Sequence, residues 1–422
     1  MSKTINPIVF RAYIKGVLTA DSPFVISVDD DYFDLAPLKD LNGEPFIPGS
    51  SVAGVLRDLF DGKDKEPFFG YAEGTNSSQS QLITYDCFLR SDSAISYSIR
   101  DGIKLKDDCR SAERGAKVIY EVVDPGCCFD FKLEVIIRHN DDRELGFSYI
   151  KAVIEQLKDG IYLGAKRSRG LGKFTLSDVE VYTILGDSTY RQYVNFSWEH
   201  SNFVAYKASD FFSNVTIRLK DKGDSRSFRV ACKDTLLIRS YDDPLGADSR
   251  MVTSGNIPVI PGTSWNGLFR HHARRILNEL NCKNTDQLIE EIFGAEMTEE
   301  KNKKLASNIV FSDSKIEDAK SFMQTNVKID RFTQGAADGA LFNSRPIADL
   351  TAMLQIHLRK PEPWIWDLIH LVICDFNSGF IALGGQTSVG RGILQIEIAQ
   401  KPDYTALSEK IIKNWGEGEQ HA

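Results

Sequence analysis

The feature that most constrains the fold of this chain is a pair of motifs that occurs twice at nearly constant spacing. The first motif, FIPGSSVAGVLR at Phe46–Arg57, returns as VIPGTSWNGLFR at Val259–Arg270. The second motif, LGAKRSRGLGK at Leu163–Lys173, returns as LGGQTSVGRGI at Leu383–Ile393. The two copies lie 213 residues apart for the first motif and 220 residues apart for the second. Two independent motifs with a shared period indicate an internal duplication.

The domain organisation follows from this repeat. A chain of 422 residues is long for a single core, and about 150 residues per domain favours two or three domains. We therefore predict a first domain over residues 1–190, a linker over residues 191–213 and a second domain over residues 214–422. Alternating polar and apolar residues predict a strand at the start of each half, near Phe10–Lys15 and near Val215–Lys220.

Helical and strand periods alternate within each half. Apolar residues at positions i, i+3, i+4 and i+7 predict amphipathic helices over Val52–Leu59 and Ile150–Leu157, and Gly160 ends the second of these. A strand is predicted after each glycine loop, at Phe174–Leu176 and at Leu394–Ile398. The order strand, helix, strands, helix, strand predicts the α+β class, with two tandem ferredoxin-like (RRM-like) domains.

Composition narrows the environment. Apolar content of 42% and charged content of 26% are typical of a globular protein. The most apolar long segment, Trp364–Phe376, is interrupted by Asp367 and His370, and it is shorter than the roughly 20 residues of a membrane helix. We expect a cytoplasmic protein without a membrane partner. The scattered cysteines and histidines lack the spacing of a zinc site.

The first motif has the character of an anion site. Pro48 and Gly49 predict a tight turn, and Ser50 or Ser51 is predicted to cap the helix that follows. Backbone N–H groups at such a helix start attract anions, although a capped helix with solvated arginines is the alternative interpretation. The residues predicted to bind an anion around this motif are Ser50, Ser51, Arg57, Thr263, Ser264, Arg270 and Arg274.

The second motif combines glycines with positive charge. Its glycines permit close approach of a backbone, and its basic residues have no acid among them. The Gly-Lys-Ser/Thr of a phosphate-binding P-loop is missing, so nucleotide hydrolysis is not indicated. A net charge of −8 argues against phosphate binding by the whole molecule, but local patches decide binding. The predicted phosphate-binding residues are Lys166, Arg167, Arg169, Lys173 and, in the second copy, Arg391.

Together these motifs resemble a known family. The patterns Ile-Pro-Gly-Ser-Ser-x-x-Gly-x-x-Arg and Gly-x-x-x-Ser-x-Gly-x-Gly are similar to those of the RAMP superfamily of CRISPR-associated proteins. More narrowly, they resemble the backbone subunits of type III effector complexes, once per half of the chain. Such subunits usually carry one domain, so the duplication resembles the fused subunits of subtype III-D. The resemblance implies three partners: guide (CRISPR) RNA, target RNA and other subunits of the complex.

The resemblance also implies a β-hairpin "thumb" in each domain that kinks the guide–target duplex. The candidate segments are Ser98–Lys117 and Val327–Leu341, which both run from a charged strand into a Gly-Ala turn. Specificity would come from base pairing between guide and target, with the protein reading the shape of the backbone. The thumb residues that we expect to contact RNA are Arg100, Lys104, Lys328 and Arg331.

Target-cleaving relatives carry an aspartate upstream of Pro-Gly-Ser. Asp34 lies 14 residues before Pro48, and Asp248 lies 13 residues before Pro261. The resemblance implies that each carboxylate holds a divalent ion, Mg²⁺ or Mn²⁺, near the scissile phosphate, with the RNA 2′-OH as the attacking group. A loop aspartate that only forms a turn is the alternative for both. Asp40 matches a second acid of the family, and the competing acids are Asp29, Asp30, Asp31, Asp242 and Asp243.

Three other functions stay open. The chain is a non-catalytic scaffold for guide RNA if neither aspartate acts. A metal-independent endoribonuclease that processes guide precursors would need a general acid–base, for which His139 and the pair His271 and His272 are candidates. A function without nucleic acid is the third, because ferredoxin-like domains serve many functions.

Overall fold

The computed structural model contains two separate hydrophobic cores, one for each half of the sequence. The first core is drawn from residues between Phe10 and Phe211, and the second from residues between Phe228 and Ile411. The structure describes residues 6–28, 32–62, 65–73, 76–105, 112–185, 189–240, 246–295, 305–399 and 403–416.

The first half forms fourteen described strands and four helices. The helices are α1 (Gly49–Asp58), α2 (Glu66–Phe69), α3 (Arg143–Asp159) and α4 (Thr189–Val194). The strands are β1 (Ile8–Ala20), β2 (Ser27–Val28), β3 (Ala36–Pro37), β4 (Phe46–Ile47), β5 (Tyr71–Glu73), β6 (Asn76–Ser78), β7 (Leu82–Thr84), β8 (Cys87–Phe88), β9 (Tyr97–Leu105), β10 (Ala112–Val123), β11 (Cys128–Arg138), β12 (Ile161–Tyr162), β13 (Lys173–Leu185) and β14 (Val204–Ala205).

The main sheet of the first half is antiparallel, with the strand order β12–β13–β1–β11–β7. Alternate residues of β1, such as Ala12 and Ile14, are buried in the same core as Val52 of α1 and Val153 of α3. The two helices therefore pack on one face of the sheet, as their apolar periodicity predicts. Both predicted helices are confirmed, and Gly160 ends α3 with a φ of 112°.

Residues that follow β13 wrap around this sheet and contact both of its faces. β14 pairs with β13, and the Phe196 ring stacks on Tyr13 with 3.6 Å between centroids. Phe211 is buried in the first core. The segment that the sequence assigned to a linker therefore packs against the first domain.

The second half repeats this plan. Its helices are α5 (Gly262–Glu279), α6 (Thr285–Phe293), α7 (Pro363–Asn377) and α8 (Tyr404–Trp415). Its strands are β15 (Asp224–Leu236), β16 (Arg239–Ser240), β17 (Ser249–Met251), β18 (Thr253–Ser254), β19 (Ile257–Ile260), β20 (Ile309–Phe311), β21 (Ser314–Glu317), β22 (Lys320–Ser321), β23 (Gln324–Ile329), β24 (Ala336–Arg345), β25 (Ile347–Leu358) and β26 (Gln395–Ile396). The main sheet has the order β26–β15–β25, and β20, β21 and β22 all pair with the other side of β25. Helices and antiparallel sheets in both halves confirm the α+β class.

The strand predicted near Val215–Lys220 is wrong. These residues run along the first domain, where Leu219 bridges to Phe60 and the Lys220 amide donates to the Leu59 carbonyl at 2.9 Å. Their alternation arises because Ile217 and Leu219 pack against the first core. The opening strand of the second half is β15, which begins at Asp224.

Each half also carries a hairpin outside its main sheet: β9–β10 is a two-stranded sheet, and β23–β24 belongs to the four-stranded sheet β16–β17–β24–β23. Within the part of the chain that the structure describes, no helix is both long and apolar enough to cross a membrane.

Candidate nucleic-acid interface

The first motif places a helix start in each half, and an aspartate from a distant connection between two strands caps it. The Gly49 N–H donates to Asp86 Oδ1 at 2.7 Å, and the Gly262 N–H donates to Asp313 Oδ1 at 2.8 Å. Pro48 occupies the N-cap position of α1 without a side-chain cap. The predicted cap by Ser50 or Ser51 is therefore wrong, because the helix begins at Gly49 and puts both serines in its first turn. A carboxylate of the protein already occupies this anion site.

The second motif forms the same loop in both halves. A left-handed residue, Lys166 or Gln386, precedes a single 3-10 turn, with φ angles of 54° and 58°. A left-handed glycine, Gly170 or Gly390, follows the turn with φ angles of 79° and 88°. The loop shape is thus duplicated, although the side chains differ.

In the first loop the basic side chains remain near the surface. Lys166 Nζ lies 4.5 Å from the centroid of the Tyr120 ring. Arg167 is exposed, and its guanidinium has a 3.5 Å contact with the Tyr162 carbonyl. The pKa of Arg359 is lowered by desolvation and then by the Arg167 guanidinium. Arg169 and Lys173 are partly exposed. The loop therefore presents several cations in one place.

In the second loop the single basic residue points into the protein. Arg391 is only 5% exposed. Its guanidinium donates to Gln386 at 2.7 Å, to Thr235 at 2.8 Å and to Gln324. Arg391 is a buried structural residue, so its predicted contact with RNA phosphate is a poor fit to the structure.

The arginines of α5 have partners within the second domain. Arg270 donates to the Gly294 carbonyl at 3.1 Å, and Arg274 Nε lies 3.2 Å from Asp286 Oδ1. Both arginines therefore already have partners within the protein, and Arg274 is paired with a carboxylate. Arg57, the counterpart of Arg270 on α1, is exposed.

The two predicted catalytic aspartates occupy equivalent positions. The Ile119 N–H donates to Asp34 Oδ2 at 2.7 Å, and the Asp34 N–H donates to the Ile119 carbonyl at 2.9 Å. The Asn343 N–H donates to Asp248 Oδ2 at 2.6 Å, and the Asp248 N–H donates to the Asn343 carbonyl at 3.0 Å. Each aspartate therefore joins its loop to the second strand of the hairpin, β10 or β24.

This geometry limits the number of carboxylate oxygens that could bind a metal ion. One oxygen of each carboxylate is already bonded to a backbone amide. Among the described residues, no group of three or more His, Cys, Asp and Glu is arranged to hold a metal. Asp40 accepts bonds from the Asn42 and Glu44 amides of its own turn. A single carboxylate oxygen suits Mg²⁺ only where RNA phosphates supply further ligands. The five competing acids, residues 29–31, 242 and 243, lie outside the described residues.

The predicted thumb residues separate into two groups. Arg100 is 4% exposed and pairs with Asp313 of the second domain at 3.0 Å, so its predicted contact with RNA is wrong. The side chain of Lys104 lies outside the described residues. Lys328 and Arg331 are exposed on β23 and in its turn.

The Arg100–Asp313 pair belongs to a junction between the two domains. Tyr120 lies there as well, and burial raises the pKa of its hydroxyl, with Arg100 and Asp313 acting in opposite directions. Asp124 accepts a hydrogen bond from Ser254 across the junction at 3.1 Å. Thr263 and Ser264 line a small cleft beside this junction.

Comparison with protein-family models identifies the family of this chain. A model described as the RAMP superfamily matches residues 3–175 and again residues 243–395. The chain belongs to the RAMP superfamily. A search of curated proteins finds no match to it. Membership confirms the resemblance and indicates a CRISPR-associated, RNA-binding protein.

Sequence reasoning missed several residues that organise this RAMP protein. Asp86 and Asp313 cap the motif helices, and Tyr120 and Arg359 lie at the domain junction. A signal for the two aspartates existed, because the segment that ends at Asp86 resembles the one that ends at Asp313. Of the candidate histidines, His272 is buried in α5, while His139 is exposed after β11.

Proposed function

We propose that this RAMP protein is a backbone subunit of a type III, III-D-like CRISPR ribonucleoprotein. In this proposal it binds guide RNA and the guide–target duplex, and it cleaves target RNA with a divalent metal ion. One observation carries the proposal: Asp34 and Asp248 lie in equivalent loops, each bonded to the same position of a hairpin. Two sites repeated in this way correspond to two cuts on one target.

The strand order supports a ferredoxin-like assignment for each domain. Counting the main strands along the chain, the first sheet has the order fourth, first, third, second, which is β13–β1–β11–β7. The second sheet has the same order, with β26, β15, β25 and then the edge strands β20 to β22. In the first domain, helices α1 and α3 pack on one face of the sheet, as the ferredoxin-like plan requires.

The charge distribution supports binding of the RNA backbone. Desolvation and then the Arg167 guanidinium lower the pKa of Arg359, and Lys173 and Arg57 add positive charge that is at least partly exposed. A phosphate near Arg167 would relieve the repulsion between the two guanidinium groups and form charge-assisted hydrogen bonds. Binding at this patch is therefore compatible with the net charge of −8.

The hairpins supply the proposed thumbs. β23–β24 exposes Lys328 and Arg331, and Phe332 in its turn is 97% exposed. An exposed aromatic ring beside two cations suits a surface that meets stacked bases and phosphates. In both domains the aspartate at the hairpin would then lie beside the RNA that the hairpin contacts.

In the proposed reaction the protein mainly orients the RNA. Asp34 and Asp248 would hold the metal ion through the oxygen that does not bond the hairpin, together with RNA phosphates. The ion, when bound, supplies positive charge that stabilises the developing charge on the scissile phosphate. The Ile119 and Asn343 amides fix the carboxylates, and the hairpins fix the strand. The attacking 2′-OH belongs to the RNA.

The test measures the rates of the two target cuts for Asp34→Asn and Asp34→Ala in the assembled complex with guide and target. Asparagine keeps an oxygen that accepts the Ile119 N–H bond but removes the charge that a metal ion needs. We expect Asp34→Asn to slow one of the two cuts at least about 100-fold, since metal charge contributes several kcal/mol. Target affinity should stay unchanged. Asp248→Asn should act in the same way on the other cut.

Asp142→Asn is the matched control, because the Asp142 carboxylate also accepts a backbone N–H bond, at the start of α3 far along the chain from either hairpin. Unchanged cleavage in both Asp34→Asn and Asp248→Asn would overturn the nuclease assignment. The scaffold function would then be favoured, and the reciprocal bonds to the hairpins give both aspartates a structural role that fits it. Cleavage that persists in EDTA would instead favour the metal-independent nuclease.

A further inference from the structure

The junction between the two domains joins two unlike surfaces. The first domain contributes a donor surface, which we define by Arg100, Tyr120 and Gly170. The second domain contributes an acceptor surface, which we define by Asp313 with Thr263 and Phe311. Arg100 pairs with Asp313 at 3.0 Å, and Thr263 and Tyr120 line the same small cleft. Gly170 lies so close to the Phe311 carbonyl that a Cβ there would overlap it.

The duplication leaves a second acceptor surface open on the first domain. Asp86 matches Asp313, since each caps its motif helix through Oδ1. Ser50 and Thr84 hold the places of Thr263 and Phe311. Asp86 is exposed, and no donor among the described residues reaches its Oδ2. In Asp313 the same oxygen receives Arg100.

The free donor surface on the second domain has lost its charge. Tyr120 and Ser344 are equivalent, because each directly follows the residue whose amide bonds a predicted catalytic aspartate. The hairpin registers pair Arg100 with Tyr120 and Gln324 with Ser344, so Gln324 takes the place of Arg100. Gln324 is bonded to Arg391, which itself replaces Leu171. The loop alignment also puts an exposed Val389 where the first domain has Arg169. At these positions the surface therefore offers no cation to an open carboxylate.

We propose that the Asp86 surface docks a different protein, one that presents an arginine as Arg100 does, and that this chain does not stack on itself. If the free acceptor surface of the first domain and the free donor surface of the second domain were complementary, copies of the protein would bind head to tail in an open chain. The replacements by Gln324 and Val389 prevent that, because a carboxylate desolvated without a cation is costly. The partner is therefore recognised by an arginine on its hairpin and a close-packing glycine turn. This inference depends on the proposed function only for the existence of a neighbouring subunit.

The experiment restores the donor chemistry within this chain. Gln324→Arg, Arg391→Leu and Val389→Arg together reproduce the first-domain residues Arg100, Leu171 and Arg169. By sedimentation velocity without RNA, we expect the full-length natural protein to stay monomeric and the triple variant to self-associate with rising concentration. Adding Asp86→Asn should weaken that association about tenfold or more, because it removes one partner of the charge pair.

Asp58→Asn in the triple variant is the matched control. It removes the same charge from the opposite end of α1 and should leave the association unchanged. The proposal is overturned if the natural protein self-associates through Asp86, or if the folded triple variant stays monomeric. If circular dichroism shows the triple variant to be unfolded, the double variant Gln324→Arg with Arg391→Leu restores the counterpart of Arg100 and gives the same comparison. A folded but monomeric double variant would then overturn the proposal. The assay contains no RNA, so its failure is distinguishable from failure of target cleavage.

Discussion

At the scale of single residues, the two glycine loops have the same backbone conformation but different surroundings. Gly170 and Gly390 both adopt the left-handed region, where a side chain is disfavoured. Gly170 also touches the second domain, where a Cβ would overlap the Phe311 carbonyl. Around Gly390, no atom of the described residues lies within 4 Å of such a Cβ. The same residue is thus required by conformation in one loop and by conformation and contact in the other.

We predict that Gly170→Ala destabilises the protein more than Gly390→Ala. Both variants carry the backbone cost of about 1–2 kcal/mol, and only Gly170→Ala adds overpacking of about 1–3 kcal/mol. The free energy of unfolding in urea measures the difference. Equal losses in the two variants would show that the contact with Phe311 is not tight.

At the scale of elements, the β23–β24 hairpin exposes several large apolar side chains. Val327, Leu341 and Phe332 are all exposed on it. Two-stranded hairpins are weak by themselves, and this one is anchored at its base by β17 and the Asp248 bond. Its projecting part is therefore where we expect the proposed thumb to contact RNA.

Phe332→Ser is expected to weaken binding of the guide–target duplex about 5- to 100-fold, because base stacking on an aromatic ring contributes about 1–3 kcal/mol. Thermal stability should be unchanged, since the ring is 97% exposed. The control is Phe380→Ser, another exposed ring that lies outside the hairpin. Binding isotherms at fixed salt measure the effect, and equal affinities for both variants would contradict a role of the hairpin tip.

At the scale of the whole molecule, a buried ion pair holds the domains together. Asp313 both caps α5 and receives Arg100, whereas Asp86 only caps α1. One carboxylate beside a repeated motif thus serves both a helix and the domain junction.

Asp313→Ala is expected to cost about 3–5 kcal/mol, because it leaves Arg100 buried without its partner. Asp86→Ala should cost only the helix cap, about 0.5–2 kcal/mol. Urea unfolding of both variants measures the two losses. A loss from Asp86→Ala as large as that from Asp313→Ala would mean that the junction pair contributes no stability.

The helices illustrate what local sequence predicts well. Val52 and Leu56 of α1 and Ile150, Val153 and Ile154 of α3 are buried as their spacing requires. The prediction failed where long-range packing decided the outcome. The alternating segment around Leu219 lies against the first core instead of forming a strand.

The same distinction applies to the candidate site. Periodicity and motif spacing by themselves predicted that the chain is duplicated and which class of fold it has, and the resemblance of its motifs to the RAMP superfamily predicted the family that the comparison confirmed. Only the tertiary structure decided that Arg100 and Arg391 are buried, that Asp86 and Asp313 cap the helices, and that each predicted catalytic aspartate bonds a hairpin. The physical reason is that a charged side chain finds its partner across the chain, where no sequence spacing specifies the distance.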